Sequence, residues 1–161
     1  MKSRLIASLA LGAAVVLGTT GCNMLAPQAT TIQYSASDGV NIPDSGPLKV
    51  RNALIIADEE GTLGNLVASI VNPTDDALAL NVSIDGQPQS VQVEGNSSVT
   101  LGVDMANMTF DNVGKPGSDV LVSFQSGEGE GVRVHVPIMD GTLPYYTQFV
   151  PTPAATATPA G

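Results

Sequence analysis

His135, Met105, Met108 and Met139 are the residues of this sequence whose types could do chemistry together. Thioether sulfur and imidazole nitrogen suit Cu(I), a soft ion that tolerates low coordination. Met105 and Met108 stand in Asp104-Met-Ala-Asn-Met-Thr-Phe110, and Met139 lies just beyond the run that carries His135. Three residues apart on one strand, Met105 and Met108 point to opposite faces, so they meet only if a turn intervenes. The competing reading makes them flexible fillers at a sheet edge. No residue is therefore committed to a metal, and no cofactor is expected.

Catalytic chemistry finds less support. A hydrolytic triad needs a nucleophile, a base and a group that orients the base. The single histidine, His135, alternates with Arg133 on the side away from a valine stripe, which reads as an exposed strand residue. Carboxylates cluster at Asp58-Glu59-Glu60, Asp75-Asp76 and Glu128/Glu130, all in turn-like sequence where nothing desolvates an acid enough to raise its pKa. Asp58, Glu59 and Glu60 are adjacent, without the spaced oxygens of a calcium loop. No phosphate-cradling GxxxxGK[ST] is present, and no basic run exists to hold nucleic acid. Asn81-Val-Ser, Asn96-Ser-Ser and Asn107-Met-Thr match the glycosylation sequon but read as coincidence. The chain is expected not to be an enzyme.

The N-terminus carries an address. Lys2 and Arg4 precede an apolar run from Leu5 to Leu17, broken only by Ser8 and Gly12, the layout of a signal peptide. The run is too short to span a bilayer, which takes about 20 apolar residues. Cys22, the only cysteine, follows Thr19, Thr20 and Gly21 directly. This stretch resembles a bacterial lipobox, with Thr19 where that pattern usually has Leu. The resemblance implies cleavage before Cys22 and a diacylglycerol on its thiol, two acyl chains being enough for stable anchoring. The alternative is a free cysteine beside an ordinary secretory cleavage site. Loss of residues 1–21 removes two of six basic and none of fifteen acidic residues, leaving four against fifteen, a formal charge of −11. Such a body is repelled by anionic lipid and by nucleic acid. The sequence divides into a signal peptide (1–21), a tether (22–30), one β domain (31–149) and a disordered Pro/Thr/Ala tail (150–161).

What must position the side chains is an all-β domain. Apolar residues rich in Val and Ile recur with period two between clusters of Gly, Pro, Asn and Asp, predicting strands near 31–37, 48–57, 63–72, 78–85, 88–94, 97–103, 118–125 and 131–138. Leu78, Leu80, Val82 and Ile84 share one face, as do Val132, Val134, Val136 and Ile138. The unbroken run Ala53–Ala57 predicts a central strand covered on both sides. Asp85-Gly86 and Glu94-Gly95-Asn96-Ser97 are hairpin signals, Asn72-Pro73 presets a turn, and residues 126–131 form a Gly/Glu loop. Eight short strands predict an antiparallel β-sandwich, immunoglobulin-like or cupredoxin-like, with a small barrel as the alternative. Without Trp or a disulfide, Phe110 and Phe124 are the largest core fillers. Pro144-Tyr145-Tyr146-Thr-Gln-Phe149 either caps the core or offers a contact to a partner.

Residues 48–57, 65–86 and 117–139 resemble the actinobacterial LpqE-type lipoproteins and, more distantly, the periplasmic copper chaperones called PCuAC. The resemblance implies a β-sandwich displayed outside the cytoplasmic membrane. In the copper family, two His and two Met bind Cu(I), one pair before a central Gly-rich turn and a His-x-Met pair after it. Here residues 78–95 hold neither His nor Met, and the second pair retains only Met108, with Ala106 at the histidine position. The expectation is a membrane-anchored, monomeric envelope module that binds an unidentified envelope protein. The alternative is a copper-chaperone-like protein with a degenerate Met/His site.

Overall fold

The computed structural model describes residues 37–152, together with Arg4, Ile6, Ala10 and Gly12, which are helical and belong to a separate unit, residues 1–34. Cys22, the tether, the expected strand at 31–36 and the tail from residue 153 lie outside the described residues.

Residues 37–152 carry eight strands: β1 (Lys49–Ala57), β2 (Leu63–Asn72), β3 (Leu78–Ile84), β4 (Gln87–Val93), β5 (Ser97–Thr100), β6 (Met108–Asp111), β7 (Asp119–Ser126) and β8 (Val132–Met139). The fold is all-β, as the alternation predicts. The spatial order is β4-β3-β7-β8-β1-β2-β5, with β6 also paired to β2. One layer is β4-β3-β7-β8; the other is β1-β2 with β5 and β6 on successive halves of β2. The side chains between them include Phe110 and Phe124, both fully buried, the latter contributing about 2 kcal/mol by removal from water.

The sandwich is nearly closed into a barrel at both corners. At one, β8 pairs antiparallel with β7 through Val132–Pro137, then continues into the other layer and pairs in parallel with β1 at Ile55↔Ile138 and Ile56↔Met139. Among the strands named above this is the parallel pair that departs from the antiparallel expectation. At the other corner, side chains replace a backbone ladder. Gln87 Nε2 donates to the Asp111 carbonyl and Gln87 Oε1 accepts from the Asp111 N–H, both at 2.9 Å, so the amide mimics a peptide unit of a neighbouring strand. Gln89 Nε2 likewise donates to the Thr109 carbonyl.

Two departures from simple alternation shape the layers. A bulge between Arg51 and Leu54, with Asn52 at φ 50°, shifts the parity of β1. Leu48 and Val50 point into the main core before it; Ala53, Ile55 and Ala57 do so after it, leaving Leu54 and Ile56 on the outer side. The run 53–57 is therefore buried on both sides, as its composition predicts. The expected strand 97–103 ends at Thr100, where the N–H groups of Val103 and Asp104 turn back onto the Thr100 carbonyl at 3.2 and 2.9 Å. The chain re-enters the sheet as β6, an element the sequence pattern did not predict. At Asp85-Gly86 both residues have positive φ, 45° and 75°, the geometry of a two-residue primed hairpin turn.

The outer side of β1 and β2 is covered by residues 144–151. Leu54, Ile56 and Val67 form a second apolar cluster with Tyr146 and Phe149, against which Met139 and Val150 pack. Buried Asn65 holds this strap, donating from Nδ2 to the Phe149 carbonyl at 2.7 Å and accepting from the Thr109 hydroxyl at 2.6 Å. The Tyr146 hydroxyl donates to Asp38 Oδ2 at 2.7 Å. Burial first, and the Asp38 carboxylate second, push the Tyr146 pKa well above its usual value. The aromatic segment thus caps the fold, although Tyr145 stays 55% exposed.

Candidate functional site

The residues that pointed to copper do not assemble. The turn after Thr100 ends at Met105, which bridges Leu101, and Met108 opens β6; both are given to packing. Met108 is buried in the main core, and half-buried Met105 packs against it. Met139, at the end of β8, packs on the strap cluster instead. His135 points outward from the same strand, 70% exposed, with Nδ1 2.6 Å from Asp119 Oδ1. Among the described residues no three His, Cys, Asp or Glu side chains converge to hold a metal.

The acidic clusters belong to turns. Asp58 accepts from the Thr62 hydroxyl, from the Thr62 N–H at 2.7 Å and from the Leu63 N–H at 3.3 Å. The threonine hydroxyl first, then these backbone donors, hold its pKa below the ordinary carboxylate range, the reverse of what a general acid needs. Glu60 pairs with Lys115 at 3.3 Å, and Asp75 accepts from the Asn96 side chain at 2.8 Å. The turn at Asn72-Pro73 is fixed by the Asn72 carbonyl oxygen, which takes the Thr74 N–H at 3.1 Å and its hydroxyl at 2.7 Å; the Asp side chains there play no such part. Asp119 as a partner of His135 was not foreseen, because the two sit diagonally on neighbouring strands, Leu121 facing His135 and Asp119 facing Pro137. No serine, threonine or cysteine among the described residues bonds to this imidazole, so the pair lacks a nucleophile.

A different site emerges on the outward face of β3, β7 and β8. The register sets Ser83, Ser123 and Arg133 in one row across the three strands. A groove of about 500 Å³ follows this row, bounded by Asp85 at the β3–β4 turn, Asn112 after β6 and Leu121 on β7. Its polar side chains are uncommitted. Among the described residues, Lys49 pairs with Asp44 at 2.7 Å, Lys115 pairs with Glu60, and Arg51 donates to the carbonyls of Ile42 and Val50. Among the described residues Arg133 has no ion-pair or hydrogen-bond partner, and the same holds for the Ser83 and Ser123 hydroxyls. Leu121, 43% exposed, supplies an apolar wall. The sequence carried part of this signal: alternation put Arg133 and His135 outside, and the outward positions of β3 and β7 include Asn81, Ser83, Ser123 and Gln125 with no Lys or Glu. What alternation does not reveal is which strands lie side by side.

No protein-family model matches the chain, and no curated protein matches it. Among solved structures, the apo PCuAC domain from PmoF1 is similar with a TM-score of 0.50 and 17% identity, covering 61% of this chain and 98% of that domain. The copper-bound PCuAC domain from PmoF2 is similar with a TM-score of 0.48 and 15% identity, covering 62% of this chain and 97% of that one. The first likeness shows a shared β fold.

Proposed function

We propose that this chain is a lipid-anchored, extracytoplasmic module that binds a partner through the outward face of β3, β7 and β8 and performs no catalysis of its own. The observation that carries this reading is the contrast in commitment. Every candidate metal ligand is occupied by core packing, strap packing or the hydrogen bond to Asp119, whereas Arg133, Ser83 and Ser123 line a groove with no partner among the described residues. The lipobox-like Thr19-Thr20-Gly21-Cys22 and the resemblance to LpqE-type lipoproteins support anchoring through Cys22. Two acyl chains hold the protein at the membrane, and a formal charge of −11, from four basic against fifteen acidic residues, keeps the domain off anionic headgroups.

The test has two arms. Cells fed labelled palmitate should label the wild-type chain and leave Cys22→Ala unlabelled; an unlabelled wild type removes the anchor. A photo-crosslinking residue at position 121 should give specific adducts on intact cells, and one at exposed Val71, on the other layer, should not. Equal labelling at both positions would remove the binding face.

The alternative, Cu(I) carriage, is supported by the fold it shares with the PCuAC domains and by the presence of Met105, Met108, Met139 and His135. The fold survives loss of the ligands; a metal site does not. If the full chain bound Cu(I) more tightly than a variant lacking these four side chains, carriage would replace the module reading.

A further inference from the structure

The binding face carries a more specific chemistry, an inference that rests on reading it as the binding face. From the Arg133 row we infer that the groove takes a monocarboxylate with an apolar body.

Three properties of the groove set that class. Its volume, about 500 Å³, is that of a site for a small molecule or a chain terminus. Its cation is an arginine, whose planar fork of donors matches a carboxylate in two parallel hydrogen bonds; in a chain with fifteen acids against six bases, Arg133 nonetheless has no acidic partner among the described residues. The Ser123 hydroxyl neighbours it in the same cross-strand row and Ser83 lies one strand beyond, so both offer further donors on the same side of the arginine. Asp85 borders the groove itself and Glu130 the adjoining depression, neither pairing to Arg133. Those two carboxylates, added to the overall negative charge, repel a dianion more than a monoanion, which selects a carboxylate over a phosphate. Exposed Leu121 gives the ligand's body an apolar wall. The carboxylate can belong to a free organic acid or to the C-terminus of a peptide, since both present the same group.

Amide NMR on the detergent-solubilised full chain at neutral pH tests this with benzoate, the tripeptide Ala-Ala-Leu, its C-terminal amide, and inorganic phosphate. Saturable shifts at Ser83, Leu121, Ser123 and Arg133 are expected with a carboxylate. Response to benzoate but not the tripeptide indicates a free acid; response to the tripeptide but not its amide indicates a chain terminus. Arg133→Gln should weaken binding roughly tenfold or more, the scale of one charge-assisted pair, while its spectrum stays folded. Lys115→Gln, outside the groove, should bind as wild type. No saturable shift with either carboxylate, an unchanged affinity in Arg133→Gln, or phosphate binding as tightly as benzoate overturns the inference. Specific adducts at position 121 without carboxylate binding would overturn it while leaving the module reading standing.

Discussion

The two outward faces of this sandwich follow the same strand rules and end differently. On β1 and β2 the outer side chains are Leu54, Ile56 and Val67, and a strap of the same chain buries them. On β3, β7 and β8 they are Ser83, Ser123, Leu121, Arg133 and His135, and nothing in residues 37–152 covers them. An aliphatic outer face must be hidden, and the chain hides it from itself with about eight residues. A face of hydroxyls, amides and one uncommitted arginine needs no cover for stability. Stability is therefore concentrated on one side of the sandwich, which leaves the other side free for the recognition proposed above.

The covered side should be costly to disturb. Phe149→Ala removes the strap's buried phenyl ring and leaves a cavity over Leu54 and Ile56, with an expected loss of about 3 kcal/mol in urea unfolding. A loss below about 1 kcal/mol would mean that the strap is only loosely held. Asn65→Ala is the next strongest: it strands the Phe149 carbonyl and the Thr109 hydroxyl, and should cost about 2 kcal/mol. If Asn65→Ala and Phe149→Ala act through one unit, the double variant should lose less than the sum of the two.

Tyr146→Phe should cost about 1 kcal/mol near neutral pH, through the lost hydrogen bond to Asp38. Its pH dependence separates this contact from simple packing. Because the folded pKa lies above the ordinary value of 10.0, the folded state holds its proton more tightly than the unfolded chain. The contribution is complete below pH 10 and declines as pH rises beyond it toward the folded value. Wild-type unfolding free energy should therefore fall more steeply above pH 10 than that of Tyr146→Phe, and parallel curves would show that the hydroxyl does not report on the strap.

How far these two sides were legible in the sequence differs, and the reason is range. Local pattern revealed seven of the eight strands, the Asp85-Gly86 hairpin, the doubly buried run 53–57 and the two core phenylalanines, because each depends on residues a few positions apart. It did not reveal β6, whose four residues Met108–Asp111 are too short to show a period and are fixed by pairing with Leu63–Leu66. Nor did it reveal the parity shift at Asn52, which depends on a positive φ, or the glutamine closure between β4 and β6. The strap depends on Asn65 meeting Phe149, 84 positions away. The groove is less legible still: Ser83, Ser123 and Arg133 become neighbours only through the order β3-β7-β8. The methionines, which stood out by type, turned out to be packing residues.

The smallest stability effect is the one that tests the comparison from the other side. Arg133→Gln and Leu121→Ser remove exposed side chains that bond to nothing among the described residues, so each should change unfolding free energy by no more than about 0.5 kcal/mol. Leu121→Ser should even be slightly favourable for solubility, since it takes an apolar group off the surface. Both should nevertheless reduce carboxylate binding, Arg133→Gln through the lost fork and Leu121→Ser through the lost wall. Two residues that matter to a ligand and not to the fold are what a bare binding face predicts. A loss of 2 kcal/mol or more in either variant would instead make the face part of the scaffold, and the division between a stabilising side and a recognising side would fail.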